Sequence, residues 1–413
     1  MSRRPTMLTA HAPLSHYLSD KVTRSFDKIL AIVRAHLGMD VAFISHFVGD
    51  ERVFHYVDAA GRSPLIVGDR MELTQGYCHR VVVGALPELI PDTGAVPAAL
   101  ALPDTHTIPI GAHLSVPIRL SDGTVYGTFC CFSFSPMQSL NERDLELMRA
   151  FADLVAEQIE DQTAAARLRL AQIEQIHTAM DAGLPDIVLQ PVFDLQTGAI
   201  VGAECLSRFP VEPRRGPDAW FAEARAADLG PDLELAAVRN AVAQARRLPA
   251  DFLISVNVSA PTVLAGGLRE AIAPLPLGRV VLEMTEHEPV EDYDALIRAL
   301  APLRAAGLRV AVDDAGAGYA SLRHVMLLKP DVIKLDTSII RHVDTDRMRQ
   351  GMAAALVAFA RHAGTTVVAE GIETEAEAAM LRKLRLPLGQ GYLLARPMPV
   401  EDLIAMLNEA KAA

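Results

Sequence analysis

The chain has 413 residues, half of them hydrophobic, which is too long for one average domain and ample for two or three ordinary cores. A formal charge of −12 argues against broad contact with a nucleic-acid backbone, which relies on clustered Lys and Arg, so no DNA partner is expected. No stretch is apolar over the length a bilayer demands, and the four cysteines (Cys78, Cys130, Cys131, Cys205) follow neither a disulfide framework nor a zinc-site spacing. The expectation is a soluble, cytoplasmic protein without membrane contact.

Residues 1–21 read as a flexible terminus: Ser2-Arg3-Arg4 is followed by a segment broken by Pro13, two His and Asp20, not by an apolar export core. Over 22–160 the pattern predicts an amphipathic helix at 26–37, then strand-like AFISHFV and FHYVDAA. Further on come HLSVPIRL and VYGTFCCFSF, split by the turn Ser121-Asp122-Gly123 as in a hairpin of an antiparallel sheet. A long connecting helix is predicted over 141–182, overlapping both neighbours, with Asn141 as N-cap and Asp144 three residues on. Within it Leu145, Met148, Ala152, Val155 and Ile159 hold heptad a and d positions, which suits a dimer; the alternative is a helix packed on its own domain.

From 173 to 413 the texture becomes a regular alternation of short hydrophobic strands and helical stretches. IVLQPVF, VGAECLSRF, FLISVNVS, RVVLEMTE, LRVAVDDAG, DVIKLD, TTVVAEGI and GQGYLLA are the strand candidates. Their number over this length predicts a mostly parallel, closed (βα)8 TIM-like barrel, so the whole chain is α/β.

Each of these strands ends in a charged or metal-liking side chain: Glu204, Asn257, Glu283, the pair Asp313-Asp314, Lys334 with Asp336, Glu370 and Gln390. In a βα barrel those ends converge on one face, where such folds keep their active sites. A single acidic strand end often caps a helix or sits as a surface charge; it is their recurrence on separate strands that points to a site. So many carboxylates in one pocket call for cations, and oxygen donors without Cys or His favour Mg²⁺ or Mn²⁺ over zinc. Two such ions about 4 Å apart form the usual clamp for displacement at phosphorus, so phosphodiester hydrolysis is the reaction class. Lys334 then orients or deprotonates the attacking water, and Arg208 grips a substrate phosphate.

These residues resemble the EAL family of cyclic di-GMP phosphodiesterases, from about residue 173 to the end. The name motif stands as Glu204-Cys205-Leu206, followed by Ser207 and Arg208; SVNVS, EMTE, VAVDDAGAGY, VIKLD, VAEGIET and QGY follow in the family's order. The resemblance implies two Mg²⁺ or Mn²⁺ ions held by Glu204, Asn257, Glu283, Asp313, Asp314 and Glu370, and hydrolysis of cyclic di-GMP to linear pGpG. It implies that Lys334, Gln390 and Glu370 serve catalysis around the water and metal shell, and that Arg208, Gln190 and Leu206 meet the substrate. Glu286 would steady the loop after Asp314 and couple homodimer contacts to activity.

Two positions depart from the family's pattern. Cys205 replaces the alanine of the name motif, and Ala315 and Ala317 stand where Phe and Thr are common, which predicts a looser loop and greater dependence on the upstream domain. Residues 22–160 resemble a GAF sensory module, an α+β domain with a central antiparallel sheet, which implies an unidentified small ligand there. The Cys78-His79 pair is read as an incidental buried thiol, not a chromophore or haem attachment. The alternative function is a catalytically silent receptor for cyclic di-GMP that signals to a protein partner.

Overall fold

The computed structural model describes residues 20–284, 290–315 and 319–412, in two compact units, Met1–Arg169 and Leu170–Ala413. Residues 1–19 of the terminus read as flexible lie outside the described residues, as do Glu286, Gly316, Ala317 and Gly318.

The first unit is built on six antiparallel strands: β1 (Val41–Val48), β2 (Glu51–Ala59), β3 (Arg70–Glu72), β4 (Leu89–Ile90), β5 (Ala112–Arg119) and β6 (Val125–Ser133), in the order β3-β2-β1-β6-β5-β4. β-Branched and aromatic residues fill these strands because they suit a pleated, covered surface. The β5–β6 hairpin closes as its sequence predicts. Asp122 accepts from the Thr124 amide at 2.8 Å, and Gly123 takes φ +85°, a conformation glycine adopts without steric cost. Phe26, Leu30 and Val33 of the helix Asp20–Leu37 pack with Leu114, Val116 and Phe129 on one face of the sheet, while Phe43, Phe54, Tyr77 and Phe132 fill the core on the other.

The helix Glu142–Asp181 runs for 40 residues, and the division between the units falls inside it. Its start is a reciprocal cap: the Asn141 side chain accepts from Arg143 N at 3.0 Å and the Asp144 carboxylate from Asn141 N at 2.9 Å. Leu145, Met148, Ala152, Val155 and Ile159 are buried in the first unit's own core, and Ile176 in a core of the second. The heptad positions are therefore occupied within the chain. The exposed apolar residues of this helix are others, Leu154, Leu168 and Leu170.

The second unit is a closed barrel of β7 (Asp186–Asp194), β8 (Ile200–Arg208), β9 (Leu253–Val258), β10 (Val280–Met284), β11 (Arg309–Ala315), β12 (Val332–Leu335), β13 (Thr366–Ala369) and β14 (Leu388–Gly389). All pairings are parallel except those of β7, which runs antiparallel to both β8 and β14. The reason is the connection: only residues 195–199 separate β7 from β8, enough for a hairpin and far short of the dozen or so that a parallel crossover needs. The eighth candidate segment, 389–395, is strand only at its first residue: β14 is Leu388–Gly389 and ends before Gln390.

Alternation along each strand divides the barrel wall. Val280, Leu282, Met284, Ile333, Leu335, Val367 and Ala369 face outward into the core shared with the helices. Their neighbours Glu283 and Lys334 face inward, as the period of two requires. Among the described residues no helix is long and apolar enough to cross a membrane.

Candidate metal centre at the mouth of the barrel

Three adjacent parallel strands bring the first ligands together by register alone. Glu204 on β8 lies opposite Ser255 on β9, and Asn257 lies opposite Glu283 on β10. The Asn257 amide donates to Glu204 at 3.1 Å. Gln390, just past β14, donates to Glu204 at 2.6 Å and to Glu370, just past β13, at 3.0 Å.

Consecutive aspartates should point to opposite faces of a strand. Here β11 pairs with β12 through a register shift between Val312 and Ala315, and Asp314 takes φ +52°. The irregularity turns both carboxylates to the mouth, as bulges at barrel rims often do. Oxygens of Asp313, Asp314 and Glu370 fall within 4.8 Å of one another.

Lys334 sits at the centre. Its Nζ is 2.7 Å from Glu370, 2.8 Å from Glu283, 3.2 Å from Asp313 and 3.4 Å from Glu204. At 2% exposure it has almost no access to bulk water. Burial alone would push the ammonium's pKa down, yet the charges of Glu204, Glu283, Glu370 and Asp313 outweigh it and hold it well above the usual range. The carboxylates divide, as like charges in one site must. Burial and the Glu204 charge push Glu283 well above the carboxylate range against the pull of Lys334. Burial raises Glu370 to about 8, with Lys334 opposing and Asp313 adding. For Glu204, burial is overcome by Lys334 and the amides of Gln390 and Asn257, which keep it low.

This donor set fits a hard divalent cation. Its ligand atoms are oxygens, with no thiolate or imidazole among the residues gathered, and one ammonium faces more carboxylates than it can balance.

The remaining predicted residues lie outside this cluster. Gln190 faces Glu204 across the reversed strand, but its amide donates to Ala395 O at 3.2 Å. Leu206 is half-buried opposite Val188, and Arg208, at the end of β8, donates to Ser207 O at 2.8 Å. Asp336 caps the helix Thr337–Ile340 through Ser338 N at 2.9 Å. Cys205 and Ala315 are buried in the helix-facing core, so neither presents its side chain to the ligands.

Sequence reasoning missed the supports. The Glu377 carboxylate accepts from the amides of His342, Glu373 and Thr374 at 2.9, 3.1 and 3.0 Å, pinning the segment that follows Glu370. The signal was present: Thr374-Glu375-Ala376-Glu377 is a capping box ahead of the helix Glu375–Lys383. Glu234 accepts from Ser259 N and Oγ at 2.8 and 2.9 Å and so fixes the end of β9 beyond Asn257, for which no local motif exists. Gly391 lets the Gln390 segment touch Ile372, since a Cβ there would stand 2.2 Å from the Ile372 backbone.

Residues 173–397 match the EAL domain family, and residues 22–159 match the GAF domain. An uncharacterized protein of Mycobacterium tuberculosis (strain ATCC 25618 / H37Rv) is 28% identical over 388 residues, 89% of this chain and 60% of that protein, so the chain spans less than two thirds of that relative. The cyclic di-GMP phosphodiesterase PdeL of Escherichia coli (strain K12) is 30% identical over 230 residues, covering 52% of this chain and 63% of that one. The crystal structure of an EAL domain protein from Listeria monocytogenes EGD-e aligns with a TM-score of 0.51 at 25% identity, over 56% of this chain and 95% of that one. With more than half its residues in the match and the barrel closed around the motif glutamate, the chain belongs to the EAL domain family.

Proposed function

We propose that this chain hydrolyses cyclic di-GMP to linear pGpG with two divalent cations, Mg²⁺ or Mn²⁺, under the control of its GAF domain. The observation that carries the reading is the buried Lys334 ammonium in contact with four carboxylates, three on separate strands and one just past β13, beside the Asp313, Asp314 and Glu370 oxygens. A likeness to a relative named as a cyclic di-GMP phosphodiesterase supports the substrate.

Glu204, Asn257, Glu283, Asp313, Asp314 and Glu370 would hold the cations. When bound, such a pair polarises the phosphoryl oxygens and lowers the pKa of the attacking water. Lys334 holds that water by donating to it and limits repulsion among the carboxylates. Glu370, held by Lys334 and Gln390, serves the same water as an acceptor. Gln390 fixes the Glu204 and Glu370 carboxylates against each other.

Arg208 takes a substrate phosphate through its fork of donors, and Gln190 and Leu206 border the bound nucleotide. Glu286 steadies the loop after Asp314. The chain works as a homodimer through the barrel and the helix Glu142–Asp181, and a small ligand at the GAF domain sets its activity. The test is chromatography of cyclic di-GMP incubated with the full chain and MgCl₂ or MnCl₂. Linear pGpG is the expected product. Nucleotide and metal binding without turnover would replace this reading with that of a silent receptor.

A further inference from the structure

TIM-like barrels ordinarily fill their interior with layers of bulky side chains, so the lumen is core and not space. This barrel departs from that. Beneath the carboxylate cluster lies a cavity of about 250 Å³, with Glu283, Lys334 and Gln390 at one end. At the other end, among residues that begin their strands, Arg309 and Thr366 are exposed and Asp331 is half-buried. The cavity thus reaches the face opposite the proposed metal site.

The cause is readable in the inward positions. Gly202 and Ser255 carry little or no side chain, and Val281, Val332 and Val368 beside them do not make up the lost volume. Gly202 cannot simply be enlarged, because a Cβ there would sit 2.9 Å from Leu253 O. The wall between the two ends is mainly aliphatic.

A second observation singles out the deep end. Gln390 is 5% exposed; its Nε2 is engaged by Glu204 and Glu370, and among the described residues its Oε1 has no hydrogen-bond partner. Flipping the amide would set its oxygen against Glu204, whose carboxyl is held ionised. A buried acceptor in this state takes a donor, from water or from a guest in the cavity. Lys334 is already engaged by four carboxylates, so an anionic guest finds no free cation at this end, and the surplus carboxylate charge belongs to the cation site at the mouth.

We propose that the lumen is a second ligand site, entered from the barrel's N-terminal end, for a small neutral amphiphile with an apolar body and one hydrogen-bond donor. A 150 Å³ apolar cavity accepts benzene, so this one accommodates about ten non-hydrogen atoms. The guest's donor meets Gln390 Oε1, and its body lies against the valines. The site is independent of whether the chain hydrolyses cyclic di-GMP.

The probe pair is 4-ethylphenol and 4-ethylanisole, in which methylation removes the donor and leaves the body. Calorimetry on the full chain should give a dissociation constant for 4-ethylphenol at or below about 1 mM. The ether should bind at least about 10-fold more weakly, the cost of leaving one buried acceptor unmet. Val368→Phe places a ring in the lumen and should abolish binding; Val281→Met is the milder companion and should weaken it. Methyl NMR of valine-labelled wild-type chain locates the guest without any substitution, with shifts expected at Val281, Val332 and Val368. No saturable heat with 4-ethylphenol, which means a lumen holding water only, overturns the proposal. So does binding that Val368→Phe and Val281→Met leave unchanged, methyl shifts confined to valines elsewhere, or equal affinity for the ether.

Discussion

Replacing Lys334 by Met removes the one cation from the carboxylate cluster and keeps its length and volume. Four carboxylates contact the ammonium at 2.7–3.4 Å. At an effective dielectric constant of about 20, each contact is worth on the order of 5 kcal/mol before desolvation. Once desolvation and protonation of some carboxylates are allowed for, removing one partner of a buried ion pair leaves a net loss of about 3–5 kcal/mol. Trp220 is the chain's single tryptophan and lies fully buried in the second unit, so its fluorescence follows that unit alone during urea unfolding. In EDTA the variant should be less stable than wild type by that amount. In saturating MgCl₂ or MnCl₂ the gap should narrow, because the cations take over the charge balance. A loss below about 1 kcal/mol in EDTA, or a gap that metal leaves unchanged, would refute the reasoning.

Other substitutions probe other parts of the site. Asp313→Asn should weaken Mn²⁺ binding by more than about 10-fold in calorimetry and abolish pGpG formation while the fold is kept, as loss of a charged ligand requires. Glu377→Gln should cost about 1–2 kcal/mol, since a charged acceptor of several amides becomes neutral. Burial pushes the Glu377 carboxyl up, but the His342, Glu373 and Thr374 amides outweigh it and hold it below the ordinary value of 4.5. The wild-type advantage is therefore complete above that pH and shrinks as pH falls through the lowered value, a trend that urea titrations from pH 7 to 3 would detect. Gly391→Ala drives a Cβ into the Ile372 backbone and should separate the Gln390 and Glu370 segments, seen as lost turnover with a lowered melting temperature.

What the amino-acid sequence determined is what short-range chemistry encodes. The Ser121-Asp122-Gly123 turn, the Asn141 cap and the period-2 strands are fixed by neighbours a few residues away, so they were legible without a fold. The gathering of Glu204, Glu283, Asp313, Glu370 and Lys334 was legible too, because in a closed barrel a residue's place along its strand determines which end of the axis it faces. The tertiary structure decided the rest. β7 is reversed because its link to β8 is too short to cross over, and Gln190 consequently meets the backbone at Ala395. Asp314 joins Asp313 at the mouth only because the β11–β12 register slips, which depends on the partner strand. The heptad of the long helix is buried within the chain, and the lumen stands open above short side chains, because which faces are covered is set by contacts far apart in sequence. Local pattern specifies an element and its faces; long-range packing specifies its direction, its register and what lies against it.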